Sequence, residues 1–77
     1  MAEFKETYLP DGCMKVALVE PRLPAGMFCR MHVHPTRGTQ SITQANGKGS
    51  RRYHFFPSYE QAQAHALAWA ARKIAGR

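Results

Sequence analysis

Seventy-seven residues, 44% apolar and 10% aromatic, make one domain with a small core and leave little room for a deep catalytic pocket; the composition also argues against a disordered chain. Eleven Lys and Arg against five Asp and Glu give a net charge of +6, which points to a polyanionic partner: nucleic acid, an acidic protein or an anionic surface. No run of about 18 apolar residues occurs, so no membrane-spanning helix is expected.

In chain order, Met1–Thr7 carries Glu3, Lys5 and Glu6 and no apolar stretch, which predicts no signal peptide and a cytoplasmic location. The segment up to Pro10-Asp11-Gly12, a turn signal, reads as loosely ordered, with Phe4 and Tyr8 available to dock on the core. Residues 14–20 are short and rich in apolar and β-branched residues, bounded by Gly12 and Pro21, and predict a first strand. Pro21 to Gly26 is a turn. Residues 27–34 alternate strictly: Met27, Cys29, Met31 and Val33 on one face, Phe28, Arg30, His32 and His34 on the other. The apolar set belongs on the core and the basic and aromatic set on an open sheet face. Residues 40–44 are a weak edge-strand candidate, Asn46-Gly47 favours a hairpin turn, and the competing reading is a loop carrying Arg37 and Lys48. Residues 51–56 form an aromatic strand in which Tyr53 and Phe55 share one face and Arg52, His54 and Phe56 the other.

Residues 59–75 lack Gly and Pro and include seven alanines, with Ser58 and Gln61 in a capping-box arrangement and Gly76 at the far end. They predict a helix. Tyr59, Ala62, Ala66, Leu67, Ala70 and Ile74 form its core stripe, with Trp69 at the flank. The expected fold is α+β: a three- or four-stranded antiparallel β-meander with one C-terminal helix packed on one face, as a single domain.

The basic face carries the functional expectation. Aligned strands would present Arg30, His32, His34, Arg52 and His54 on one face, with Phe28 and Phe56 interleaved. Cations neutralise phosphates and aromatics stack on unpaired bases, so a non-enzymatic nucleic-acid-binding or regulatory protein is the leading reading. The stretch Phe56-Pro57-Ser58-Tyr59-Glu60-Gln61-Ala62, continuing to Ala66, Leu67 and Trp69-Ala70, resembles the end of two three-stranded DNA-binding modules: the plant ethylene-response-factor domain and the arm-binding domain of phage-type integrases. It also resembles small uncharacterised bacterial proteins. The resemblance covers about a fifth of the chain. In the DNA-binding families the sheet contacts DNA, which implies Arg30, His32, Arg51 and Arg52 here. The chain lacks the Trp-rich, Arg-dense first strands of the plant domain.

Other chemistries have thinner support. His32, His34 and His54 would suffice as zinc ligands only if adjacent strands brought them together, and no carboxylate stands ready to orient them. No metal and no cofactor is therefore expected. Two cysteines without C-x-x-C spacing read as free thiols, a Cys13–Cys29 bridge being the alternative. Cys29 should face away from His32 and His34. The five carboxylates form no acid–base pair, and Gly47-Lys48-Gly49 lacks the strand–loop–helix context of a phosphate loop. No enzymatic activity is expected. The rival reading is a protein–protein interaction module, with a homodimer through the outer helix face, where Ala64, Ala68, Ala71 and Ala75 line up.

Overall fold

The computed structural model describes residues 2–45 and 51–76. The expected Asn46-Gly47 turn, the Gly47-Lys48-Gly49 triplet and Lys48 lie outside the described residues. The chain is α+β: five antiparallel strands in meander order, β1 (Glu3–Tyr8), β2 (Met14–Val19), β3 (Phe28–His34), β4 (Gly38–Gln44) and β5 (Arg51–Phe56), followed by helix α1 (Tyr59–Ala75). No helix among the described residues is long and apolar enough to cross a membrane.

The sheet has one strand more than the three or four expected, β1, and the weak candidate at residues 40–44 is present as β4. The segment read as loose is β1, an edge strand paired along its length with β2, from Glu3 opposite Val19 to Tyr8 opposite Met14. Its charges suit an edge, where they discourage further strand addition. Only Phe4 packs on the core, so β1 has no apolar alternation to announce it. On the helix side, Tyr59 Oη donates to Glu6 Oε2 at 2.7 Å, tying β1 to the start of α1. Burial and this carboxylate push the Tyr59 phenol far above its ordinary value.

The second surprise is β4. It is an interior strand, paired with β3 on one side and β5 on the other. Thr39, Ser41 and Thr43 point to the helix side and are buried. Their small side chains, facing buried Ala62, Ala66 and Ala70 of α1, let helix and sheet approach closely. Ser41 Oγ lies 3.7 Å from the Cys29 thiol. Polar composition suggested an edge because hydroxyls replace aliphatic bulk at the place where the helix comes nearest.

Helix α1 lies over β3, β4 and β5. Ser58 Oγ accepts from the Gln61 amide at 3.2 Å, and the Gly76 amide donates to the Arg72 carbonyl at 2.9 Å. Its buried stripe is Ala62, Ala66, Trp69 and Ala70. Trp69 is thus central rather than flanking, and Leu67 is 43% exposed. At 100° per residue Leu67 sits about 140° round the helix from Ala62; the bulk of Trp69 turns the packed face away from it. The core is completed by Met14, Val16, Leu18, Cys29 and Met31. Both cysteines are buried free thiols, and burial pushes each thiol up.

The β3–β4 turn is closed by two devices. His34 Nδ1 accepts from the amides of Thr36 and Arg37, each at 3.1 Å. Gly38 has φ +96°, and a Cβ there would stand 2.6 Å from the Phe56 carbonyl oxygen and 2.8 Å from the Phe55 ring. Gly38→Ala should therefore cost about 2 kcal/mol or more, combining a disfavoured φ with a backbone clash. The measurement is chemical denaturation followed by far-UV circular dichroism.

Candidate nucleic-acid interface

An antiparallel register places directly paired residues on the same face of the sheet. Away from the helix, one row across all five strands reads Lys5, Ala17, Arg30, Ile42, Tyr53, and the next reads Thr7, Lys15, His32, Gln40, Phe55. A shorter third row joins Phe28, Gln44 and Arg51. At ordinary sheet spacings each full row spans about 19 Å, and neighbouring rows lie about 7 Å apart. Charge and ring are segregated along the rows. Lys5 and Lys15 occupy the β1–β2 side, Arg30 and His32 the middle, Tyr53 and Phe55 the β5 edge.

Two rings on this face are open to solvent: Tyr53 is 59% exposed and Phe55 67%. Held open on one face, the two rings offer flat apolar area for a contact. Towards the centre, a shallow depression of about 510 Å³ is floored by Ala17 and Ile42 and rimmed by Lys5, Lys15, Arg30 and His32. Its apolar floor and cationic rim suit a ligand with flat apolar faces and anionic links.

The arginines are held in place. The Arg30 guanidinium stands 4.7 Å and that of Arg51 5.7 Å from the centre of the Phe28 ring, within cation–π range. Arg51 Nε also donates to Gln44 Oε1 at 3.2 Å, and Gln44 Nε2 donates to the Gly26 carbonyl at 3.1 Å. This chain of contacts anchors Arg51 to the β2–β3 connection and reduces the side-chain freedom lost on meeting a phosphate.

Of the residues expected at the site, Phe28, Arg30, His32 and Arg51 share the open face. His34 lies on that face by register, but its Nδ1 is engaged in closing the turn. Arg52 and His54 are not there. Arg52 pairs with Thr43 and His54 with Ser41, so both point to the helix side, together with Phe56, which pairs with Thr39. The expectation failed on parity: the face of β5 relative to β3 is set by the register of β4 between them, and one residue of slip exchanges the two faces of a strand. The same fact separates His54 from His32 and His34 and dismantles the three-histidine zinc candidate. Among the described residues no group of three or more His, Cys, Asp or Glu side chains gathers to hold a metal.

Sequence reasoning missed Lys5, Lys15, Tyr53 and Phe55. The signal for the last two was present in the Arg51-x-Tyr53-x-Phe55 alternation, which puts a basic residue and two aromatics on one face as Phe28-x-Arg30 puts one of each. With Arg52 and His54 assigned to the open face, Tyr53 and Phe55 fell to the opposite side, whereas the helix-side face of β5 is supplied by Phe56 and His54. On the outer side of α1, Ala64, Ala68, Ala71 and Ala75 are exposed.

No protein-family model, no curated protein and no solved structure matches the chain.

Proposed function

We propose that this chain is a non-enzymatic nucleic-acid-binding protein that takes single strands across the open face of its sheet. The observation that carries the reading is that Tyr53 and Phe55 share one sheet face with Arg30, Arg51, Lys15 and Lys5. Bases with free faces can stack on the two rings while the backbone runs over the cations. A duplex keeps its bases stacked inside and offers those rings nothing equivalent, so single strands are preferred. The resemblance to sheet-borne DNA-binding modules supports the use of the face opposite the helix. It applies to Arg30, His32 and Arg51, but not to Arg52, which the register turns away.

The test is fluorescence anisotropy with a labelled single strand and a duplex of the same sequence at increasing salt. If Lys5, Lys15, Arg30 and Arg51 each neutralise one phosphate, raising salt from 50 to 200 mM should weaken single-strand binding roughly 50-fold. The single strand should bind more tightly at every salt concentration. Absence of binding at 50 mM would refute the reading and favour a protein-interaction module or homodimer working through other surfaces.

A further inference from the structure

The side chains that the register removes from the open face meet others on the helix side. Between β5 and the C-terminal half of α1 lies a second cleft, of about 480 Å³, lined by Arg52, His54, His65, Arg72 and Lys73, with Trp69 and Thr43 at its back. We propose that this cleft is a phosphate-binding site, in which Arg52, Arg72 and Lys73 grip a phosphoryl dianion and the two imidazoles supply further donors. The proposal is independent of the open-face reading, because it uses none of the same residues.

Three observations support it. First, three permanent cations converge from two elements, and no carboxylate lines the cleft among the described residues. Such a cluster repels itself unless an anion joins it, and arginine's planar fork is suited to phosphate oxygens. Second, His65 Nδ1 is buried and has no hydrogen-bond partner, although buried polar atoms are ordinarily satisfied. Third, the His54 and His65 rings lie 4.7 Å apart, centre to centre, and Phe56 packs 5.0 Å from His65. The imidazoles are thus held side by side, and charge on His54 opposes protonation of His65.

Electrostatics give the site a pH signature. Burial first, then His54 and Arg72, hold His65 below the ordinary imidazole range. The groups facing it are His54, Arg52 and Phe56 from β5, Thr43 from β4, and Trp69, Arg72 and Lys73 from α1; all the charged ones are cations. A bound dianion reverses that field and favours imidazolium, so phosphate should raise the His65 titration midpoint. The dianion could be free phosphate, including that of a small phosphomonoester, or the 5′-phosphate of a bound strand.

The experiment is an NMR titration of the His54 and His65 ring signals with inorganic phosphate against chloride at matched ionic strength, on the intact chain and on Arg72→Gln and Arg52→Gln. Both arginines are exposed, so the fold should survive, and amide spectra verify that. A saturable phosphate response is expected, with a raised His65 midpoint and about tenfold weaker affinity in either variant. A parallel comparison of oligonucleotides with and without a 5′-phosphate identifies the source: tighter binding of the phosphorylated strand assigns the strand end, and equal binding assigns the free anion. A response that chloride reproduces, or one untouched by both substitutions, overturns the proposal.

Discussion

Replacing Tyr53 and Phe55 together by alanine is expected to weaken single-strand binding by at least tenfold while leaving the salt dependence almost unchanged. Stacking of a base on an aromatic side chain is worth about 1–3 kcal/mol per ring by alanine substitution, and it involves no counterion release. Both rings are exposed on the β5 edge, so their removal should cost little stability. Arg30→Glu should have the complementary signature. It removes a cation from the middle of the face, where Ala17 and Ile42 are its cross-strand partners, and adds a charge that repels phosphate. Affinity at low salt should fall about tenfold or more, and the salt slope should become shallower by about one phosphate contact. Anisotropy titrations of the two variants at three salt concentrations separate the contributions. If the aromatic double variant binds like the parent, stacking is not part of recognition.

The largest expected loss of stability comes from Trp69→Ala. Trp69 is 5% exposed and is the single bulky side chain that α1 buries; its buried companions are Ala62, Ala66 and Ala70. Truncating a buried tryptophan costs about 3–5 kcal/mol, and a 77-residue domain has roughly 4–12 kcal/mol in total. The substitution should therefore remove roughly a quarter or more of the total stability. Leu67→Ala, at a position of equal apolarity in the sequence but 43% exposed, should cost less than about 1 kcal/mol. Urea denaturation monitored at 222 nm checks both, since circular dichroism does not need the indole. Equal effects of the two substitutions would contradict the placement of the helix.

The contrast between Trp69 and Leu67 shows where the sequence was legible. Helix α1 declared itself locally, through the Ser58 cap, an unbroken alanine-rich run and Gly76, because capping and propensity act within a few residues. Which of its sides packs depends on fitting Trp69 against a sheet built from distant segments, and helical periodicity alone placed Leu67 in the core. Strand β3 was legible for a similar reason: its alternation of Cys29, Met31 and Val33 with Arg30 and His32 is complete within seven residues. Strand β1 was not, because an exposed edge strand needs only Phe4 to reach the core. Strand β4 was legible only as a weak edge candidate, because close approach of α1 selects Thr39, Ser41 and Thr43 over the aliphatic residues that identify an interior strand.

The candidate site divides along the same line. Phe28, Arg30 and His32 sit on one strand, and their common face follows from the period of two. Placing Arg51 beside them, and Arg52 and His54 on the opposite side, required the full register from β3 through β4 to β5. The pairing of β1 and β2 with β3 also brought in Lys5 and Lys15, each unremarkable in its own segment, and that of β5 aimed Tyr53 and Phe55 at solvent. It is the sheet, more than any motif, that turns dispersed basic residues into a face.

The central claim is that this face, and not the set of residues nearest in sequence, meets the strand. It is tested most directly by NMR observation of aromatic ring and arginine Nε–H signals during titration with an unphosphorylated single strand at low salt. The account predicts the largest changes at Tyr53, Phe55, Arg30 and Arg51, fading as salt is raised. Changes confined to Arg52 and His54, or no change at any of these signals, would contradict it.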